Sequence, residues 1–283
     1  MTEFKHSGQL GDIIYAIPAM RRIAEQRGDP ALAIYVPNDR KANHAPGLKH
    51  VSGELMMTRA MFDFVRPLLA QQPGVEALHF VDSASIPRNA IDLDVIRNGT
   101  LNLSAGNIRD YYFKAFGLVA DETAAAPWLE RSTQPAAAVY DVVFGRSTRY
   151  LNDSIDYTVL LAYAGSVGFI GTAHEYKNLR ERYPDLAVDH VHVSDAMQAC
   201  NLIAASRLYV GNQSLFFAIA EGLRADRALE VFEPVPNVVP YGGRCAQFVS
   251  SAGLCDVLRV FLGEPAVVPK PSREAPHYVL SRP

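Results

Sequence analysis

The sequence lacks the features that define disulfide-rich, membrane-spanning and nucleic-acid-binding proteins. Its three cysteines, Cys200, Cys245 and Cys255, are odd in number and have no CxxC spacing, which argues against a disulfide framework and a zinc ribbon. The first residues are polar and no apolar run reaches the length of a membrane span, so we expect neither a secretory signal nor stable membrane insertion. A net charge of −3 without a basic run gives no general attraction to nucleic acid or anionic lipid. These absences predict a soluble cytoplasmic protein.

What the sequence does contain is an alternation of short β-rich runs and longer helical patterns, which is typical of parallel α/β layers. Its 283 residues, 49% of them hydrophobic, are enough for two domains of ordinary size. The predicted strands cover residues 31–36, 75–81, 139–144, 166–170, 188–193, 208–210 and 228–232. The predicted helices cover residues 12–26, 53–71, 107–116, 155–164, 194–205, 214–223 and 250–262.

The periodic pattern breaks between residues 120 and 138, where alanines and two prolines replace it. We place a domain boundary near residue 135, with one Rossmann-like domain at 1–135 and a second at 136–262. Residues 263–283 contain five prolines and are expected to form an extended tail, lying either across the surface or back on the first domain. Two such domains would face each other across a central cleft, where ligands bind outside the carboxyl ends of the strands.

A glycine-rich turn near the start of the chain leads into the first predicted helix and carries an acid, Asp12. The residues around it are Ser7, Gly8, Gln9 and Gly11. Such a turn lets a ligand approach the backbone beside the unpaired N–H groups of the helix N-terminus. The alternative is that Asp12 is only a first-turn acid favoured by the helix dipole. The turn therefore indicates either a binding and catalytic element or an ordinary helix start.

A second polar cluster, Arg146, Ser147, Thr148 and Arg149, directly follows the predicted strand at 139–144. Arginine stays charged and binds phosphate with two hydrogen bonds, so Arg146 or Arg149 could neutralise a departing diphosphate. A solvated loop with helix-capping hydroxyls explains the same residues equally well. The cluster thus predicts a phosphate-binding loop, with a purely structural alternative.

Two further turns follow predicted strands in the second half of the chain. Gly211 would allow close approach to the backbone, and the next helix can be capped by a residue of the same turn, Asn212, Gln213 or Ser214. The free N–H groups of that helix suit a diphosphate. Glu175, in the other turn, could accept hydrogen bonds from ribose hydroxyls. Each turn alone can be an ordinary strand-to-helix connection, whereas together they favour a nucleotide site.

His190 and His192 are separated by one residue, so on a strand both side chains would face the same side, a geometry that can hold a metal ion. A third ligand is not apparent, although Asp189 and Asp195 are close in sequence. We expect an exposed or hydrogen-bonded histidine pair and no metal site.

These landmarks occur in the order that they have in a known enzyme family. The segments concerned are 7–12 with Pro18, 146–149, 171–175 and 211–223. They resemble the ADP-heptose:lipopolysaccharide heptosyltransferases, which are inverting glycosyltransferases with the two-Rossmann GT-B fold. The resemblance implies that Asp12 is the general base or positions the acceptor, with its turn on the acceptor side. It likewise implies that the later loops surround a nucleotide-sugar donor.

The chain departs from that family in the turn at 211–214, which has neither the aspartate nor the histidine usual there. Arg146 or Arg149 also stands where the family has a lysine. We therefore expect a shared reaction class and leave the donor sugar open. The expected chemistry is a single displacement at an anomeric carbon, with no required metal or other cofactor. The donor would be a nucleotide-diphosphate sugar, and the acceptor hydroxyl would belong to a glycan, a lipid-linked sugar or a modified nucleic acid.

Two other classes of function share these features. A protein that binds a nucleotide or nucleotide sugar without catalysis would keep the donor-side turns. A Rossmann oxidoreductase is less favoured because the full GxGxxG pattern is missing, the first turn supplying only Gly8 and Gly11. Since one fold serves many functions, the distinction depends on the site.

Overall fold

The computed structural model describes residues 1–42, 53–119, 126–134, 136–265 and 278–279, which form an α/β fold with two mainly parallel sheets. The strands are β1 (Thr2–Lys5), β2 (Leu32–Pro37), β3 (Val75–Val81), β4 (Ile91–Asp92), β5 (Val142–Gly145), β6 (Val167–Phe169), β7 (Asp189–His190), β8 (Leu208–Gly211), β9 (Arg227–Glu230), β10 (Cys245–Phe248) and β11 (Tyr278–Val279). The helices are α1 (Leu10–Gln26), α2 (Arg59–Ala70), α3 (Ile108–Ala115), α4 (Leu160–Tyr163), α5 (Ala173–Arg182), α6 (Ala196–Ala205), α7 (Leu215–Leu223) and α8 (Ser251–Leu262).

The first sheet has the strand order β3-β2-β1-β4, and its pairs are parallel. The sequence pattern does not predict β1, because its four residues alternate apolar or small side chains with the charged Glu3 and Lys5, which is too short a pattern to identify a strand. It also misses β4, which has two residues. The central position of β1 places the following turn, residues 6–9, at the carboxyl edge of the sheet.

The second sheet has the strand order β11-β10-β9-β8-β5-β6-β7. The chain runs outward from β5 through β6 and β7 and then returns to β8 on the other side of β5. Such a reversal is a topological switch point, where open α/β sheets bind their ligands. The register pairs Gly145 with Gly211, so the loops after β5 and β8 begin side by side.

Each predicted strand and helix overlaps an observed one, and the differences have local causes. The predicted helix 53–71 begins only at Arg59, because the Thr58 hydroxyl accepts a hydrogen bond from the Met61 amide at 3.3 Å and caps it there. The predicted helix 155–164 is largely a 3-10 turn followed by the short α4. Helix α5 is not predicted, since Leu179 is its only buried residue and its sequence shows no apolar stripe.

The two halves of the chain share an apolar core. Buried side chains of α1 and α2 join those of α6 and α7 in one cluster. Trp128, which precedes the predicted boundary, connects the halves: its backbone amide donates to the Gly222 carbonyl of α7 at 2.8 Å, and its indole Nε1 donates to the Ile14 carbonyl of α1 at 3.1 Å. Residue 135, where the boundary is predicted, lies outside the described residues. The segment just before it, 126–134, contacts both α1 and α7.

Part of the predicted tail is described, namely residues 263–265 and 278–279. Tyr278–Val279 pairs antiparallel with β10, so these residues lie at the edge of the second sheet and not on the first domain. Within the described ranges, every helix is too short or too polar to cross a bilayer.

Candidate active site

Asp12 lies in the first turn of α1, and two donors hold its carboxylate. Its Oδ2 accepts hydrogen bonds from the backbone N–H of Gln9 at 3.1 Å and from Nη2 of Arg97 at 2.6 Å. The Asp12 side chain is 20% exposed, so a ligand can still reach it. Arg97 comes from a 3-10 helix, Leu93–Arg97, that follows the edge strand β4. The acid therefore stabilises the helix start, and because its carboxylate is partly exposed, its binding and catalytic role stays a prediction.

The turn before α1 is held by residues distant in sequence. The Ser7 amide donates to the Asp94 carboxylate at 3.1 Å, and the Ser7 hydroxyl donates to the same group. Nη1 of Arg97 donates to Asp94 at 3.2 Å. A Cβ added to Gly8 would lie 2.6 Å from Nη2 of Arg97 and 2.7 Å from Oδ2 of Asp12. Gly8 is thus needed because the ion pair closes over it.

His6 is fully buried beneath this turn. Its Nδ1 accepts a hydrogen bond from the Gly8 amide at 3.2 Å, so the proton of the neutral ring lies on Nε2, which donates to the Tyr112 hydroxyl at 2.8 Å. Burial, reinforced by the nearby Arg97, lowers the pKa of His6 to about 4. The imidazole is therefore neutral near pH 7.

Arg146, in the loop after β5, is held inside the second half. Its Nε and Nη2 donate to the two carboxylate oxygens of Glu230 at 2.8 and 2.9 Å, and Nη2 also donates to the Asn152 carbonyl at 3.1 Å. Burial opposes the charge of Arg146, but the hydrogen bonds to Glu230 outweigh it and raise its pKa. Of the two arginines predicted to bind phosphate, this one already has an internal partner.

Arg149 differs from Arg146 although it lies only three residues further on. Its guanidinium carbon lies 5.4 Å from the centre of the Tyr150 ring, and among the described residues it makes neither an ion pair nor a side-chain hydrogen bond. The loop is fixed by buried Asn212, whose Nδ2 donates to the Ser147 and Arg149 carbonyls at 3.0 and 2.6 Å. Asn212 Oδ1 also accepts from the Ser147 amide at 3.0 Å. Thr148 is exposed. The loop is therefore anchored through its backbone and presents the Arg149 cation.

In the turn after β8, the cap of α7 is Ser214, whose hydroxyl accepts from the Phe217 amide at 3.4 Å. Gly211 has a packing role, because an added Cβ would lie 2.4 Å from the Gly145 carbonyl oxygen. The close approach predicted at Gly211 is therefore that of the neighbouring strand. Gln213 contacts the segment before β10, its Nε2 donating to Asn237 Oδ1 at 2.6 Å.

Glu175 caps helix α5. Its Oε2 accepts hydrogen bonds from the Thr172 amide at 2.7 Å and hydroxyl at 3.0 Å, so one carboxylate oxygen is occupied. His190 stacks on Tyr176 with ring centres 4.3 Å apart, and its Nε2 lies 3.2 Å from the Gly171 carbonyl. Among the described residues no three histidine, cysteine or acidic side chains are grouped to hold a metal ion.

Two cavities lie where these loops meet the start of α1, and residues of both halves line each of them. The smaller cavity measures about 230 Å³ and contains these predicted site residues: Gln9, Gly11, Asp12, Arg149, Gln213 and Ser214. The larger measures about 500 Å³ and contains Gln9, Gly11, Arg146, Ser147, Arg149, Glu175 and Ser214. The remaining predicted residues, Ser7, Gly8, Thr148, Gly211 and Asn212, line neither of the two.

Sequence reasoning missed Arg97, Tyr15 and Asn237, which line the smaller cavity. Tyr15 could have been found, because Gln9, Asp12 and Tyr15 are spaced by three residues and so share one face of α1. Arg97 and Asn237 are distant in sequence from Asp12, and only the tertiary fold brings them to the cavity, so no local sequence pattern could identify them.

The fold is that of heptosyltransferase-like glycosyltransferases, which confirms the resemblance at the level of structure. E. coli ADP-heptose lipopolysaccharide heptosyltransferase II aligns with a TM-score of 0.56 at 13% identity, covering 93% of this chain and 98% of that one. E. coli heptosyltransferase WaaC, solved with ADP-2-deoxy-2-fluoro heptose, gives 0.53 at 11% identity, with 87% and 92% coverage. A family 9 glycosyl transferase from Veillonella parvula gives 0.57 at 9% identity, with 87% and 86% coverage. No protein-family model and no curated protein matches the sequence.

Proposed function

We propose that the protein is a GT-B glycosyltransferase that moves a sugar from a nucleotide-diphosphate sugar to an acceptor hydroxyl, with inversion and without a required metal. Residues 1–135 would hold the acceptor and residues 136–262 the donor, facing each other across a cleft, with 263–283 as a tail. A solved structure of the same fold, that of E. coli heptosyltransferase WaaC, holds ADP-2-deoxy-2-fluoro heptose, which supports a nucleotide sugar as donor. The proposal leaves open a hexosyl or heptosyl donor, the nucleotide base and the acceptor.

The observation that carries the proposal is that Asp12 and Arg149 line one cavity from opposite halves of the chain. Ser214, the cap of α7, lines the same cavity. An acid, a cation and the positive end of a helix are the groups needed to activate a hydroxyl and to stabilise a leaving diphosphate. Their convergence supports transfer more strongly than any of the three alone.

In the proposed reaction, Asp12 takes the proton of the acceptor hydroxyl. The acceptor oxygen then forms a bond to the anomeric carbon while the bond from that carbon to the diphosphate oxygen breaks. The nucleoside diphosphate leaves with the bonding electron pair, and its added charge is stabilised by Arg149 and the first-turn amides of α7. Arg97 positions the Asp12 carboxylate through their 2.6 Å contact.

The larger cavity offers the space for the nucleoside. It has an apolar wall formed by Met61, Phe64, Ile170 and Phe216, and Glu175 lies on its polar side. An apolar wall suits a base, and a carboxylate can accept hydrogen bonds from ribose hydroxyls. The diphosphate would then lie near Arg149, which lines both cavities.

The first experiment tests the purified protein against ADP-, UDP-, GDP- and dTDP-sugars by thermal shift, followed by a transfer and hydrolysis assay with the donors that bind. A specific donor raises the melting temperature by mass action. With such a donor, we expect Asp12→Asn to keep donor binding and to lower turnover by roughly 10²- to 10⁴-fold, because general-base catalysis contributes about that much.

Asp256→Asn is the matched control, since Asp256 pairs with Arg259 at 2.9 Å on α8, away from both cavities. Its turnover should equal that of the parent. Turnover of Asp12→Asn within a few-fold of the parent would remove Asp12 from the base role.

A nucleotide-binding protein without catalysis is the second candidate. It is favoured by the observation that one Asp12 oxygen already accepts two hydrogen bonds, from Gln9 and Arg97, as a purely structural acid would. Tight binding of a nucleotide sugar by the parent, with neither transfer nor hydrolysis, would support this candidate over the transferase.

A further inference from the structure

Most of the buried polar atoms without a partner gather at one place in the protein. Among the described residues, four buried side-chain atoms make no hydrogen bond: Gln9 Oε1, Tyr15 Oη, Gln213 Oε1 and Arg21 Nη2. The first three belong to residues that line the cavity of about 230 Å³ beside Asp12. Such atoms are rare in folded proteins, because each has lost its hydrogen bonds to water without replacement. Their grouping at one cavity indicates a ligand that completes them.

The orientation of the Gln213 amide follows from a chain of hydrogen bonds. The Leu103 carbonyl can only accept, so the Asn237 group that contacts it at 2.9 Å is the donor Nδ2. Asn237 Oδ1 is then an acceptor, and the Gln213 group at 2.6 Å from it is the donor Nε2. The same Nε2 donates to the Val235 carbonyl at 3.0 Å. Gln213 Oε1 is therefore the atom left over, and it can only accept.

Tyr15 and Gln9 extend this set from the other half of the chain. Gln9, the N-cap of α1, and Asp12 and Tyr15 within the helix lie at intervals of three residues and line the same cavity. Burial, and then the nearby Glu221, raise the pKa of Tyr15 well above its usual range, so its hydroxyl keeps its proton. The residues that line this cavity thus carry two unpartnered amide oxygens, which only accept, and one hydroxyl, which can donate or accept.

We infer that this cavity binds the ring of a neutral sugar, and that Gln9, Tyr15 and Gln213 select it by bonding to its hydroxyl groups. The inference rests on the proposed function, whose donor it describes more closely. The two amide oxygens require hydrogen-bond donors opposite them, which the hydroxyl groups of a sugar ring supply and which an ionised carboxylate or phosphate oxygen does not. The cavity volume is also below the roughly 300–1,000 Å³ usual for drug-sized ligands, which fits a single ring.

The test compares the affinity of the whole protein for a nucleotide sugar with its affinity for the matching nucleoside diphosphate, by calorimetry. The probes are ADP-, UDP-, GDP- and dTDP-glucose, each paired with its own diphosphate. We expect the parent to bind at least one sugar form more tightly than the diphosphate. We call the ratio of these two affinities the sugar gain. In Tyr15→Phe the sugar gain should fall by about three- to tenfold, the effect of one neutral hydrogen bond, while diphosphate affinity stays unchanged. The melting temperature should not fall, because the lost hydroxyl has no partner in the free protein.

Gln9→Met provides a second variant with a side chain of similar size, and the same reduced gain is expected. Tyr111→Phe is the matched control, since Tyr111 lines the same cavity but its hydroxyl already donates to the Ala105 carbonyl at 2.6 Å. It should lower the melting temperature and leave the sugar gain intact.

Three outcomes separate the inference from the proposed function. A sugar gain that survives both Tyr15→Phe and Gln9→Met overturns the inference, as does a parent that binds diphosphates but gains nothing from the sugar. A parent that binds none of the eight probes contradicts the proposed function, and the inference fails with it.

Discussion

Two regions of the molecule, the start of α1 after β1 and the loop after β5, both follow strand ends but differ in how their charged side chains are paired. At the start of α1, just after β1, the Asp12 carboxylate pairs with Arg97, which comes from another element and lies at the same surface. In the loop after β5, the first arginine, Arg146, turns inward to buried Glu230, and the second, Arg149, has no acidic partner among the described residues. The first region thus presents an acid with its counter-ion, and the second presents a cation without one.

The comparison shows that neighbouring residues of one type can have separate tasks. Arg146 neutralises a carboxylate inside the second half and holds the Asn152 carbonyl, which stabilises the loop. Arg149 has no acidic partner among the described residues, so its charge is available to an anionic ligand. Proximity to a strand end therefore does not distinguish the two arginines, whereas the presence or absence of an internal acidic partner does.

The largest effect is expected for Arg146→Met, which would leave Glu230 charged, buried and unpaired. Breaking a buried ion pair from one side costs about 3–5 kcal/mol, so the free energy of unfolding measured in urea should fall by that amount. Arg149→Met is the matched comparison and should stay within about 0.5 kcal/mol of the parent. Equal stability of the two variants would contradict the division of tasks.

Arg149→Met should weaken the binding of a nucleoside diphosphate. Loss of a charge-assisted hydrogen bond to phosphate weakens binding by about 1.5–3 kcal/mol, or roughly ten- to a hundredfold in Kd. Calorimetry with the nucleoside diphosphate of the preferred donor measures this change. Arg259→Met, on the exposed face of α8, serves as the control. An unchanged Kd in Arg149→Met would show that the cation has another purpose.

A smaller effect on stability is expected from His6, beneath the turn after β1, and it depends on pH. His6 has a folded-state pKa of about 4, below its usual 6.5 or so, so the unfolded chain binds a proton first as the pH falls. The contribution of neutral His6 to the free energy of unfolding is fully present above about pH 6.5 and declines toward pH 4. The decline is about 2 kcal/mol between pH 7 and pH 5. Urea titrations at both pH values should show that His6→Gln loses this part of the pH dependence. An identical decline in parent and variant would exclude His6 as its source.

The sequence was sufficient for the α/β class and for the approximate places of the strands and helices, because apolar periodicity is a local property. It also predicted that the turns at Asp12, Arg149 and Ser214 belong to one site, because they were expected to lie on either side of a cleft between two α/β halves. In the structure these three residues line one cavity, and their action on one ligand stays a prediction.

What local patterns could not show are the partners that come from distant parts of the chain. Glu230, 84 residues away in sequence, pairs with the charge of Arg146, and Arg97 reaches Asp12 across 85 residues. The tight contact of Gly211 with Gly145 likewise depends on strand register. These pairings follow from the three-dimensional fold, and they decide which charges stay available to a ligand.

The central claim is that Asp12 and Arg149 act on one ligand from opposite halves. The most direct test is a crystal structure of the protein with the nucleotide sugar that binds best in the panel. We predict the diphosphate within about 3 Å of the Arg149 guanidinium, near the start of α7, with the sugar in the cavity beside Asp12. A ligand bound elsewhere, or one that contacts only one of these two residues, would contradict the claim.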